Sequence, residues 1–351
     1  MSDLSRVVNE TKRMVKIMLQ KFTGGLLMAC TLIPSSGVAR PLAEAPGWGG
    51  ELAVTGVFIR KQSQFDTDDD NQVTADLDNS GQQTESGLPL PLGRLDYTLE
   101  GLKTQYFLGN SRDNVSKGQI AIEFGVTHQF DDSSQLTAAY FPRLPISGET
   151  WKDPYLQLQP RVETMERAQG GRLTWENIAG TLLIAEYAFA VNRIDEEASG
   201  SSLAFLDDAE RALLNRDAFL QRVSIDSRLP LAPGVMLKPG VFYTLADAAG
   251  EANSFDQYGL RLQSIYRKDR HFLTATLTYS RLSGTVTNPV FGTRQADDSM
   301  SLFALYSYAE PFGWKNWNLL GIGFWQQNDS TINFYDSDTL GLGVGLGYRW
   351  R

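Results

Sequence analysis

The sequence predicts an all-β protein, a transmembrane antiparallel β-barrel of about 14 strands with short periplasmic turns, long extracellular loops and one short helix in a loop. Three observations predict it. First, residues 339–350 place Leu340, Leu342, Val344, Leu346, Tyr348 and Trp350 on one strand face and mostly glycine on the other, because successive strand side chains alternate. A bare face is a packing defect in a soluble sheet, whereas in a barrel it faces the lumen while the apolar face meets lipid. Second, the chain is 42% hydrophobic, yet past residue 40 it has no apolar run long enough for a spanning helix. Third, tight turns alternate with long polar connections, which is the asymmetry of outer-membrane barrels.

A single barrel accounts for the length, because barrels routinely exceed the usual domain size. Lys12, Arg13, Lys16 and Lys21 precede an apolar segment over residues 22–33, followed by the small residues Ser35, Ser36, Gly37 and Ala39. This is the three-part layout of a secretory signal. The expected division is a signal peptide over 1–39, a periplasmic linker over 40–50 and the barrel over 51–351. Met14 and Met18 are alternative starts, and Leu27-Met28-Ala29-Cys30 resembles a lipoprotein box behind a short apolar run. With cleavage after Ala39, Cys30 leaves and no disulfide can form, so stability rests on the closed hydrogen-bonded sheet. The remaining chain holds 27 basic against 39 acidic side chains, a net charge of −12, which argues against nucleic acid as a partner.

Residues 51–60 form the first expected strand, with Leu52, Val54, Gly56 and Phe58 on one face. The polar stretch 61–91 is too long for an ordinary turn and reads as an extracellular loop. Residues 94–100 then alternate, sending Leu95, Tyr97 and Leu99 outward and Arg94, Asp96, Thr98 and Glu100 inward. Strand 104–109 follows, then a loop over 110–117, then a strand with Ile120, Ile122, Phe124 and Val126 outward and Gln119, Glu123 and Thr127 inward. Asp131-Asp132-Ser133-Ser134 is a tight turn before strand 135–141; a long loop covers 142–171, and 172–176 returns. Strand 181–193 sends Leu183, Ala185, Tyr187, Phe189 and Val191 outward. In 194–216, Leu203, Leu206, Ala209 or Glu210, and Leu213 recur at helical spacing behind Ser201 and Ser202, so a short amphipathic helix packed on the rim is expected. Strands 217–229, 234–245, 254–267, 272–281, 299–308, 317–326 and 339–350 complete the count, with loops at 247–253, 288–298 and 327–338. Fourteen strands result, with twelve as the alternative, and an even count leaves both termini periplasmic. Trp48, Trp175, Trp314, Trp317 and Trp350 all fall at periplasmic strand ends, where an aromatic belt belongs.

Little in this pattern supports catalysis. The two histidines, His128 and His271, map beside periplasmic turns, away from the outer rim where a barrel hydrolase needs its base. No His/Cys spacing suits a metal, and in Asp66-Thr67-Asp68-Asp69-Asp70-Asn71 the turn glycine and the final bidentate acid of a calcium loop are both missing, Leu77 standing at the acid's position. A non-enzymatic protein without cofactor is therefore expected. The informative set is the inward one: Arg94, Asp96, Glu100, Glu123, Arg172, Glu176, Glu186, Arg222, Asp226, Arg228, Lys238, Arg261 and Arg267. Both signs occur, so either water fills the lumen between them or they neutralise one another in a salt-bridged plug.

Several segments resemble an uncharacterised family of Gram-negative outer-membrane proteins, the domain of unknown function 2860. They are Phe107-Leu108-Gly109-Asn110, Trp151-Lys152-Asp153-Pro154-Tyr155, residues 288–294 from Asn288 through Phe291 to Arg294, Phe312-Gly313-Trp314-Lys315-Asn316-Trp317, and Asn333-Phe334-Tyr335-Asp336. The resemblance implies a barrel in the outer membrane of a Gram-negative bacterium and brings no substrate. The terminal aromatic strand also resembles the sorting signal of such barrels, although Arg351 follows the aromatic residue. It implies the barrel-assembly machinery and outer-membrane lipid as partners. The leading expectation is a monomeric channel for passive diffusion of small hydrophilic solutes. The alternative is a closed barrel whose loop residues Trp151, Asp153, Tyr155, Asn288, Phe291 and Arg294 bind a surface partner or glycan; a soluble periplasmic β protein comes third.

Overall fold

The computed structural model describes residues 41–110, 121–142 and 148–350, and the expected signal segment lies outside them. Among the described residues fourteen antiparallel strands, each paired with its neighbours, close a barrel. They are β1 (Gly47–Gln62), β2 (Gln83–Thr98), β3 (Thr104–Asn110), β4 (Ile122–Gln129), β5 (Gln135–Phe141), β7 (Glu163–Glu176), β8 (Leu183–Ile194), β9 (Ala218–Ser227), β11 (Val235–Ala248), β12 (Phe255–Lys268), β13 (His271–Asn288), β14 (Thr293–Ala309), β15 (Trp317–Ser330) and β16 (Ser337–Trp350). A short β6 (Glu149–Trp151) pairs with the outer end of β7. The segment β10 (Leu229–Ala232) continues β9 in register along β11, the break falling opposite Pro239, which has no N–H to donate. Closure is the pairing of β1 with β16, from Gly50 opposite Trp350 to Gln62 opposite Asp338.

Alternation decides which face meets lipid. Leu52, Val54 and Phe58 of β1 and Leu342, Val344 and Leu346 of β16 are exposed, Val344 at 72%, while Thr55 and Val57 point inward and are buried. On β13, Thr274 and Thr276 are buried while Leu277 and Tyr279 are exposed. A girdle lines the periplasmic end: Trp48 packs on Tyr97, Trp314 on Trp317, Trp317 on Tyr348, and Tyr348 on Trp350. Amphipathic rings of this kind settle at the headgroup level.

Several sequence boundaries are corrected. Residues 83–91, expected in a loop, pair with Val54–Gln62 of β1, and strand β1 itself begins at Gly47, inside the expected linker 40–50. Residues 163–171 belong to β7, and 293–298 to β14. The reason is height. A tilted strand needs about 9–11 residues to cross a bilayer, whereas β13 has 18 and β14 has 17. In β14 the excess stands in water with polar residues on both faces, Arg294, Asp297 and Asp298 among them, so it carries no alternation to read. In β2, residues 88–93 lie level with the lipid-facing Leu52 and Val54, and their alternating leucines and prolines hide the strand. Pro89 and Pro91 further disguise β2. Gly93, of the same parity, donates its N–H to Asn110 Oδ1 on the β3 side, so these prolines remove two donors from that edge and leave the β1 ladder intact.

The expected helix is α1 (Asp208–Ala212), shorter and later than its apolar spacing predicts. Asp207, and neither Ser201 nor Ser202, is its N-cap, in a reciprocal capping box with Glu210. Leu203 and Leu206 precede it in turns and are buried in a cluster with Leu214, Tyr155, Ala252, Ile332 and Phe334.

Candidate functional site in the lumen and its outer cap

The charged lumen residues are arranged along the wall. Arg172 on β7 grips Glu123 on β4 at 2.8 Å, across the intervening β5, and its other nitrogen lies 3.6 Å from Glu186 on β8. Arg261 on β12 holds Asp226 on β9 through two contacts of 2.8 and 2.9 Å, across β11. This second bridge passes over Gly240, where a Cβ would lie 2.0 Å from Asp226 Oδ1, so glycine at that position makes room for the ion pair. Arg228 meets Glu176 at 2.6 Å across β8, and Arg94 meets Asp96 at 2.7 Å on one strand while its guanidinium lies over the Phe107 ring.

Of the thirteen expected lumen residues, Asp96, Glu123, Asp226, Lys238 and Arg261 are buried on the inner face. Arg94, Arg172, Glu176, Glu186, Arg222 and Arg228 are half-buried there. Two are corrected. Glu100 is exposed in the periplasmic turn after β2, and Arg267 has inward parity but sits exposed at the end of β12, over the Phe272 ring. Strand alternation predicts direction and cannot tell where a strand leaves the barrel.

Arg222 differs from its neighbours. Its Nε donates to Thr244 Oγ1 at 2.8 Å and its guanidinium packs over Phe242, with no carboxylate within ion-pair distance among the described residues. It opens on a lumen cavity of about 400 Å³ that also meets Gln257, Arg261, Thr278, Ser301 and Gln326. Thr278, Ser301 and Gln326 stand directly opposite one another on β13, β14 and β15, in the same cross-strand row as Arg261. The glycine face of β16 is covered by neighbours: the Phe324 ring lies over Gly341, and Val57 and Thr55 lie against Gly343.

Over the outer mouth the loops fold into a cap with its own core, built around the cluster of Tyr155, Leu203, Leu206, Leu214, Ala252, Ile332 and Phe334. Loop 63–82 is fastened to loop 152–162 by Arg161, 1% exposed, which donates to Gln64 O and Oε1, Pro154 O, Gln72 O and Asn71 O. Burial pulls its pKa down to about 10. Trp151, fully buried beneath it, donates its indole N–H to Gln64 O at 3.0 Å. Asp153 accepts from the backbone N–H groups of Tyr155, Gly200 and Ser202 and from the Ser201 hydroxyl, tying that loop to the one carrying α1. Tyr155 and Tyr335 share a hydroxyl hydrogen bond of 3.0 Å, and Asn288 Nδ2 donates to Tyr335. Burial raises the pKa of Tyr155 and raises that of Tyr335 well above the usual phenol value.

These placements correct the expected loop-binding set. Trp151, Asp153, Tyr155 and Asn288 are buried and hold the cap together; Phe291 is half-buried against the same cluster, and Arg294 alone of the six is exposed. The acidic stretch is likewise engaged internally, Asp66 with Lys61 and Thr84, and Asp68 as cap to the turn at Asp70. Among the described residues no group of three acidic, histidine or cysteine side chains is placed to hold a metal. His128 and His271 are exposed at periplasmic strand ends, bonded to Thr104 and Tyr306. Arg161 and Gly240 are what the sequence reading missed. An isolated glycine inside a strand is a signal of close approach, so Gly240 was discoverable; Arg161 lies in a loop without periodicity.

A closed barrel with an exposed apolar face, an aromatic girdle and a charged lumen defines a β-barrel of the Gram-negative outer membrane. The chain belongs to the family described as protein of unknown function DUF2860, which matches residues 47–349. No curated protein matches the sequence. Among solved structures, outer-membrane expressed OmpT of Vibrio cholerae is similar at 11% identity and a TM-score of 0.44, covering 89% of this chain and 100% of that one. The outer membrane channel DcaP of Acinetobacter baumannii is similar at 11% identity and a TM-score of 0.41, covering 87% and 98%. An anion-selective porin from Comamonas acidovorans gives 10% identity and a TM-score of 0.38, covering 86% and 98%.

Proposed function

We propose that this barrel is a monomeric, non-catalytic channel through which small hydrophilic solutes diffuse passively, with the outer cap restricting entry. The observation that carries the reading is the direction of the ion pairs. Glu123–Arg172 and Asp226–Arg261 each span one strand along the wall, so their charges neutralise one another without a bridge across the lumen. A plug would need contacts between opposite walls, and a cluster paired along one wall leaves polar surface facing water. The cavity of about 400 Å³ beside Arg222 is lined by side chains that a hydrated solute can exchange for its water.

The test is electrical. Purified protein inserted in planar bilayers should give discrete conductance steps in potassium chloride, and a barrel that stays silent despite heat-modifiable, folded migration on gels would overturn the reading.

A further inference from the structure

We infer that the lumen holds a binding subsite for a small carboxylate bearing hydroxyl groups, with Arg222 receiving the carboxylate; this deepens the channel reading above and rests on it.

The inference starts from unused donors at Arg222: Glu186 lies near enough to act on its charge, but no carboxylate among the described residues hydrogen-bonds its guanidinium. The cationic side chains nearest Arg222 on the wall are already matched, Arg261 by Asp226 and Arg172 by Glu123 and Glu186. Glu186, the carboxylate on the adjoining β8, also accepts from Thr174 Oγ1 at 2.8 Å. Arg222 has a hydroxyl and an aromatic face for partners, so most of its five donors are left for a ligand. A planar guanidinium of this kind matches a carboxylate through two parallel hydrogen bonds, and such charge-assisted bonds are about twice as strong as neutral ones.

The rest of the cavity specifies what the carboxylate is attached to. Across from Arg222 runs the row Thr278, Ser301 and Gln326, whose hydroxyl and amide groups both donate and accept. A ladder of that composition fits a polyhydroxylated body and offers no charge to a second ionised group. Phe303 and Phe324 line the same space and supply apolar ring surface for C–H groups, while Phe242 lies under the Arg222 guanidinium. A hydroxylated acid of sugar size uses all three surfaces at once. A simple inorganic anion uses only Arg222, and a neutral sugar uses only the ladder and the rings.

The experiment measures block of chloride current through single reconstituted channels by galacturonate, with galactose and acetate as the partial ligands. In the wild type, galacturonate should reduce current at concentrations at least tenfold below those of galactose or acetate. Arg222→Gln should raise the blocking concentration of galacturonate about tenfold, Arg222→Lys should restore part of it, and Arg193→Gln, at the exposed outer end of β8, should leave it unchanged. Equal block of wild type and Arg222→Gln, with both migrating as folded barrels, overturns the subsite while leaving the channel intact. Equally strong block by galactose overturns the carboxylate assignment. If the wild type conducts no current, the channel reading fails by itself, and calorimetric titration of the detergent-solubilised barrel with galacturonate decides the subsite: saturable heat abolished in Arg222→Gln supports it, and its absence in the wild type overturns it.

Discussion

At the scale of single residues, absent side chains and unpaired donors carry as much of the argument as the charges. Gly240 is where Asp226 must pass to reach Arg261. Gly240→Ala is therefore expected to push the carboxylate off its partner and to cost up to about 3 kcal/mol, the scale for disrupting a buried pair. Urea unfolding of the lipid-reconstituted barrel, followed by tryptophan fluorescence, measures it. In the cap, Tyr155 and Tyr335 carry a pH dependence. Burial raises both phenol values above the ordinary figure of about 10, so the folded state keeps protons that the unfolded state releases. Their stabilisation is complete below that pH and is lost as pH rises through the folded values. Alkaline titration of the fluorescence of buried Trp151 should show the cap opening above about pH 10, and Tyr335→Phe should reduce the protons released in that step.

Elements show where the sequence was legible. Within the bilayer the period of two is enforced by lipid on one side and lumen on the other, and there residues such as Leu95, Glu123, Phe124 and Thr276 all point as alternation predicts. Above the bilayer both faces are wet, and the outer ends of β7 and β14 extend where the sequence reads as loop. The cap was illegible for a different reason. Its contacts join residues such as Arg161 and Gln64, or Tyr155 and Tyr335, that are far apart in sequence and share no local pattern. Asp153 is the element-scale test, since its carboxylate accepts from both its own loop and the loop of α1. Asp153→Ala should release one loop from the other at a cost of about 2–3 kcal/mol, the range for hydrogen bonds to a charged group. Limited proteolysis of intact proteoliposomes should then cut within residues 148–217 faster than in the wild type, with the strands still protected.

For the whole molecule the decisive event is closure. Gly345 on β16 faces inward where a Cβ would lie 2.4 Å from Val54 O and 2.5 Å from Thr55 Oγ1, while Gly323 on β15 faces lipid with Leu342 Cδ2 as nearest neighbour at 3.5 Å. Gly345→Leu should prevent β16 from seating on β1 and abolish the heat-modifiable folded band on gels. Gly323→Leu should fold normally. The comparison separates a steric requirement of the seam from a general intolerance of large side chains. The same seam brings Gly50 opposite Trp350, with Arg349 held to Glu51 at 3.0 Å, so the two ends of the barrel sequence stand side by side on the periplasmic rim. A ring so joined has no geometrical first strand. The polypeptide could be linked there and opened at another periplasmic turn, such as the one between β2 and β3, and the circular permutant would retain every strand neighbour.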